Sequence, residues 1–148
     1  MPKLILSRTQ QDVQLAWAAA RCNDDGADWN PGSEAVAVVD SDTGKIRAVI
    51  VINGFIEDFA SVHFASDGGK TWASRDILAG LFGYLFVFKG LNRVISITDS
   101  TNTSVLKLWI ALGFRIEGQI RKSQDGRKQS TVATMFASEC RWISPERE

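Results

Sequence analysis

The chain has 148 residues, 45% of them apolar and 23% charged, which is the balance of one soluble globular domain with a buried core and too short for two ordinary ones. Lys+Arg and Asp+Glu are both 17, so the formal net charge is zero. That excludes the basic excess by which proteins bind nucleic acid or anionic membrane without sequence preference. Two distant cysteines without a CxxC pair, and a single histidine, argue against both a disulfide framework and a metal centre.

Lys3–Ser7 (KLILS) suits a short first strand. A helix follows, with Thr9 as its expected cap, Asp12 near its positive end, and Val13, Ala16, Trp17 and Ala20 at helical spacing. Asn23–Ser33 is polar, with two glycines and a proline, and reads as a loop containing Trp29, either an anchor or a substrate contact. Glu34–Asp40 and Lys45–Asn53 are strands around the hairpin turn SDTG, and Glu57–Ser66 is a third. A long helix is expected from about Thr71 to Lys89, its Phe82, Tyr84, Phe86 and Phe88 packing into the core. Its most apolar run is short and broken by glycines, so it is a buried helix and not a membrane span, and no secretory leader pattern opens the chain. Asn92–Ser100 is a strand, TNTSVLKLWIALG a helix that starts at Thr/Asn/Ser and stops at Gly113, and two strands close the domain around a DGRK turn. The basic residues flanking that turn read as a solvated hairpin tip, and the tail SPERE should fray. The order is β-α-β-β-β-α-β-α-β-β, a single α/β domain over residues 1–148 with a mixed, mostly antiparallel sheet and helices on both faces. Only the helical crossover from Glu57 to Ser100 requires a parallel pair.

The stretch SDGGKTW, Ser66–Trp72, ends like a Walker A phosphate loop. A Walker A motif needs a glycine five positions before its Gly-Lys pair; here that position is Phe64, inside a strand, and Asp67 brings the wrong charge. What survives is a strand end, two glycines and a helix start, with free N–H groups that attract an anion. Lys70 and Arg75 add positive charge. A glycine turn chosen for geometry alone is the competing reading.

The second half resembles the GCN5-related N-acetyltransferases (GNAT). The matching residues are Asn102 at a helix start, Leu112-Gly113-Phe114, Glu117-Gly118 and Arg121, at the spacing of the branch that acetylates ribosomal-protein N-termini. Val62–Phe86 also resembles phage and prophage members, which have a histidine in the strand before the loop, a Trp in the loop and an ending like Glu139–Trp142, and the family resemblance as a whole covers Phe59–Ile143. The resemblance implies a metal-free N-acyltransferase that moves an acetyl group from acetyl-CoA to an amine. Strands Phe59–Ser66 and Asn92–Ser100 would splay to admit the pantetheine arm along Phe64 and Ala65. The pyrophosphate would sit on the N–H groups of Gly69, Lys70, Thr71, Trp72, Ala73 and Ser74, within a coenzyme loop that runs from Gly68 to Arg75, and Asn102 would also contact the coenzyme.

The family's loop usually reads Gln/Arg-x-x-Gly-x-Gly/Ala; the aligned residues here are Ser66, Gly69 and Thr71, so one glycine and the leading polar side chain are missing. Many members carry a tyrosine where this chain has Trp109.

Acyl transfer needs a group to take the amine proton, and His63, with an ordinary pKa of about 6.5, is the candidate base; a structural strand histidine is the alternative. Ser104 could assist the leaving thiolate or only help start its helix. Glu117 matches a family position, with an ion pair to Arg115 or Arg121 as its other reading. Glu57 and Asp58 could work through a water or be a solvated strand end. The acceptor, a small amine, a protein amine or a modified base, is not chosen by the sequence, and a nucleic-acid partner is disfavoured. A bacterial or phage-infected cytoplasm is the expected setting and a homodimer through an exposed edge strand is plausible. The competing class is a non-catalytic phage structural or interaction protein on the same scaffold.

Overall fold

The computed structural model describes residues 3–22, 29–69 and 71–143. The expected loop over 23–28, Lys70 and the tail 144–148 lie outside the described residues. The sheet has seven strands: β1 (Leu4–Ser7), β2 (Glu34–Asp40), β3 (Ile46–Ile56), β4 (Phe59–Ser66), β5 (Arg93–Asp99), β6 (Arg115–Arg121) and β7 (Gln129–Phe136), in the order β1-β2-β3-β4-β5-β7-β6. Every neighbouring pair is antiparallel except β4 and β5, which run parallel. That pair is joined by the helical crossover over residues 67–92, the long connection that a parallel pair requires.

Helices cover both faces. α1 (Gln11–Cys22) lies on one, with Ala18 packed against Ala35, Ala37, Val49, Val51 and Ala65. α2 (Arg75–Gly83) and α3 (Thr103–Leu112) serve the other, where Val36, Val38, Ile50, Ile52, Val62, Phe64 and Met135 meet Leu78, Leu81, Phe82, Trp109 and Leu112. With both faces covered, β2 and β3 are nearly continuous in buried apolar residues instead of alternating with water. The strand residues toward α1 are small, mostly alanine and valine, so α1 can approach closely.

Several boundaries differ from the sequence expectation, each for a local reason. α1 begins at Gln11, where Gln14 N–H bonds Gln10 C=O, so Thr9 does not cap it. Glu57 and Asp58 do not open β4: they form the tight turn between Ile56 and Phe59, with Glu57 at φ 52. α2 starts at Arg75, not Thr71, because Ser74 adopts extended backbone and its side chain accepts from Ile77 N–H. After Gly83 the ladder widens into a π-helical turn, Tyr84–Phe88, closed by Lys89 N–H on Tyr84 C=O. The extra residue rotates Phe88 out of the core; it stacks on Tyr84 and is 73% exposed, against the expected burial. β7 stops at Phe136 and gives way to a 3₁₀ turn, Ala137–Glu139, where Glu139 Oε1 accepts from Phe136 N–H.

Gly113 caps α3 at φ 112, a left-handed angle, and a Cβ there would meet Arg141 Nη1 at 3.2 Å and Met135 Cε at 3.3 Å. Gly113→Ala is therefore expected to destabilise the domain by about 1–2 kcal/mol, read as a lower urea midpoint at unchanged slope.

Candidate active site

β4 and β5 pair only through Phe59↔Arg93, Ala60↔Val94 and Ser61↔Ile95. Beyond that point both strands continue and part company. β4 stays bonded to β3 as far as Ser66↔Ala48, and β5 to β7 as far as Asp99↔Ser130. The split is thus held open by the outer neighbours of each strand, a wedge that opens toward the carboxyl ends of two parallel strands, where α/β sheets bind ligands.

The two connections leaving those ends form its lips. On one, Asn102 caps α3, its Oδ1 accepting from Val105 N–H (3.4 Å) and from Ser104 Oγ (3.3 Å). Ser104 is therefore engaged in the helix start. On the other lip Gly68 takes φ 99 and leads into the cap of α2. Among the described residues, the N–H groups of Arg75 and Asp76 have no acceptor, and they point along the positive end of the helix dipole.

The loop amides before them are not all free, as the sequence reading expected. Gly68 N–H donates to Ser66 Oγ (3.2 Å) and Gly69 N–H to Asp67 Oδ1 (2.9 Å). Asp67 in turn pairs with Arg47, whose Nη2 also reaches Thr71 Oγ1 at 3.3 Å. The Gly69 amide, then Arg47, hold the Asp67 carboxyl below the usual carboxylate range. A carboxylate of the chain itself thus takes the Gly69 amide, one of those expected to hold an anion. Trp72 is not exposed in the loop; its ring is buried against Phe64, with centroids 5.3 Å apart, and pins the loop to the core. Arg75 is exposed, over the ring of Trp142.

Alternation along β4 separates two surfaces of the wedge. Phe64 faces α2 and α3. His63 and Ala65 face α1. His63, two residues past the last β4–β5 pair, is half-buried: Nε2 lies 3.1 Å from Asn53 Oδ1, and its ring packs 5.2 Å from that of Trp29. With Oδ1 as acceptor, Nε2 carries the hydrogen and Nδ1 keeps its lone pair. Burial pushes the His63 pKa down, so the ring is neutral at pH 7. Trp29 is itself anchored, Nε1 donating to Leu15 C=O at 2.9 Å.

On the α3 side, Trp109 is 1% exposed and its ring packs against Phe64 and Phe114. Its Nε1–H has no acceptor among the described residues. Such a buried donor costs about 1–3 kcal/mol.

His63, Phe64, Ala65, Trp72, Ser74, Arg75, Asn102 and Ser104 are thus brought around one wedge. Glu117 is not. β6 is the outer strand of the sheet, separated from the wedge by β5 and β7, and Glu117 Oε2 accepts from Thr134 Oγ1 at 2.7 Å. Arg115 pairs with Glu139 instead. Glu57 and Asp58 lie at the closed end of β4. Sequence reasoning missed Asn53 and Arg47, whose partners lie elsewhere in the chain, and noted Trp109 only as a departure from the family's tyrosine.

No protein-family model and no curated protein sequence matches the chain. Solved structures do. A ribosomal-protein-S5-alanine acetyltransferase from Vibrio fischeri superposes with TM-score 0.66 at 17% identity, over 93% of this chain and 94% of the other. A GNAT-family acetyltransferase from Bacillus anthracis gives 0.67 at 13% identity, over 94% and 98%. A mutant of the spermidine N-acetyltransferase SpeG from Vibrio cholerae gives 0.68 at 15% identity, over 91% and 94%. The chain has the GNAT acetyltransferase fold. No helix among the described residues is long and apolar enough to cross a membrane.

Proposed function

We propose that the protein is an acyl-CoA-dependent N-acyltransferase that moves an acetyl group from acetyl-CoA to an amine by direct attack. The observation that carries this reading is the parting of β4 and β5 after Ser61 and Ile95, with free amides at the start of α2 on its rim, in a chain of GNAT fold. The pantetheine arm would enter the split along Phe64 and Ala65. The diphosphate would sit at the start of α2, where the Arg75 and Asp76 amides and the Arg75 side chain face it, with Asn102 on the opposite lip. The amine would approach from the α1 face and pass its proton to His63 Nδ1, directly or through one water. Carbon–nitrogen bond formation expels the coenzyme as thiolate, which leaves protonated, so no metal or covalent enzyme intermediate is required. The acceptor is an amine on a small molecule or a protein; the structural neighbours' own acceptors, a ribosomal-protein alanine and spermidine, span both kinds.

The reading brings further proposals. Acetyl-CoA supply places the work in the cytoplasm, and the His63, Trp72 and Glu139–Trp142 pattern supports a phage or prophage origin. β6, an edge strand exposed along its length, is where a second copy would pair.

Thermal unfolding with and without acetyl-CoA tests the reading. Coenzyme at one hundred times its Kd adds about 2.7 kcal/mol. No shift at millimolar coenzyme favours the second reading, a non-catalytic interaction protein, for which the occupied Gly68 and Gly69 amides speak. Asp67→Ala separates the two. It frees the Gly69 amide and Arg47 and removes a negative charge beside the diphosphate, so acetyl-CoA should bind about tenfold tighter by calorimetry. Unchanged affinity would put the diphosphate elsewhere.

A further inference from the structure

A second concave surface lies away from the β4–β5 split, at the β1 edge of the sheet, with β2 and β3 between β1 and β4. It is a groove of about 920 Å³ between β1, α2 with its π-helical turn, and the chain at Trp142 and Ile143. That is within the size range of sites for small organic ligands. Leu6, Val36, Gly83, Val87, Trp142 and Ile143 give it a mostly apolar lining. The π-helical turn presents Val87 and Phe88 to it, 71% and 73% exposed, and such turns often occur at functional sites.

Two glycines of α2 line the groove for different reasons. A Cβ at Gly80 would lie 2.6 Å from Leu6 Cδ1, so close packing on β1 accounts for that glycine. Gly83 has φ −61 and ψ −40, angles open to any residue, and a Cβ there would meet nothing within 4 Å. Glycine weakens a helix, and neither the backbone nor packing within the chain requires it at 83. Its effect is to keep the groove open. Charge marks one end. Glu34 Oε1 accepts from Tyr84 Oη and Oε2 from Lys89 Nζ, both at 2.9 Å. Arg8, which lines the groove, lies over the Tyr84 ring at 4.5 Å with Nη2 3.8 Å from Glu34 Oε1, beyond hydrogen-bond distance. Two cations against one carboxylate leave this end positive, and Arg8 is the cation that Glu34 does not bind directly.

We propose that the groove is a second binding site, for a single-chain amphiphile with a carboxylate head. The chain lies along the apolar floor past Gly83, and the Arg8 guanidinium takes the head through paired N–H donors. The proposal stands apart from the N-acyltransferase reading, since no residue of the split takes part in it.

The test is titration of the ¹⁵N-labelled wild-type protein with octanoate and, in parallel, with 1-octanol, both below the concentration at which they aggregate. Octanoate is expected to move the amides of Leu6, Ser7, Arg8, Gly83 and Val87 along a saturating curve, and to bind about fivefold or more tightly than 1-octanol. Arg8→Gln should remove that preference. Gly83→Leu, which fills the groove, should abolish both responses while the rest of the spectrum keeps its dispersion; should that variant fail to fold, Arg8→Gln decides alone. No saturating shift, equal affinity for the two probes, or a preference unaltered in Arg8→Gln would each overturn the proposal. So would folded Gly83→Leu that binds like wild type. Shifts of the same amides that grow with protein concentration, without either probe, would give the groove to a second copy of the chain and overturn it too.

Discussion

His63→Ala is expected to lower kcat by about 10²–10⁴, the usual contribution of a positioned general base, measured by thiol release across a panel of amine acceptors. The expectation follows from placement as much as residue type. His63 lies on the part of β4 that has left β5, on the face toward α1, with one ring nitrogen bonded to Asn53 and the other keeping its lone pair. Burial lowers its pKa, so the base form persists below the ordinary value of about 6.5. Any acid limb due to His63 should thus lie below pH 6.5 in wild type and vanish in His63→Ala. The same shift predicts a stability effect. The unfolded chain takes up the proton at about pH 6.5, before the folded one does, so His63 costs nothing above that pH and weakens the fold as pH falls through the folded pKa. His63→Ala should flatten this acid loss in denaturant titrations. Turnover and pH profile both unchanged would reduce His63 to a strand residue held by Asn53 and Trp29. Asn53→Ala should give a smaller loss, because it frees the ring's orientation without removing the base.

Trp72→Ala is expected to cost about 3–5 kcal/mol, the range for truncating a large buried aromatic. The ring is 2% exposed and packs on Phe64. Against a typical total of roughly 5–15 kcal/mol this is a large share, and it should lower the melting temperature by roughly 10 °C or more in a domain of this size. The effect should reach function as well, since Trp72 is the only strongly buried side chain between Asp67 and Arg75 among the described residues. Without it the turn loses its hold on the core and the amides at the start of α2 lose their fixed aim. Trp72→Phe should recover most of the stability and of the acetyl-CoA shift. A loss under about 1 kcal/mol in Trp72→Ala would show that the loop is held by the Arg47–Asp67 pair instead.

The element order was legible because its signals are local. Alternation in Phe59–Ser66 correctly put His63 and Phe64 on opposite faces, and Asn102 and Gly113 correctly bounded α3. The errors arose where a local rule met a longer one. The π-helical turn after Gly83 turned Phe88 outward, although helical spacing from the buried Leu81 and Leu85 would have put it in the core. Glu57 took a left-handed turn position without the usual Gly or Asn signal. Glu117, chosen for its place in a motif, lies on the outermost strand because β7 inserts between β5 and β6.

By itself, then, the sequence determined the order of strands and helices, the one parallel crossover, and the residues that start and stop α3. Those follow from periodicity and capping over a few residues. Only the tertiary structure decided how far β4 and β5 stay paired, that Asp67 takes the Gly69 amide and pairs with Arg47, that Asn53 holds His63, and that Trp109 packs on Phe64. Each of these depends on strand register and on contacts between residues far apart in the chain, which no local pattern encodes.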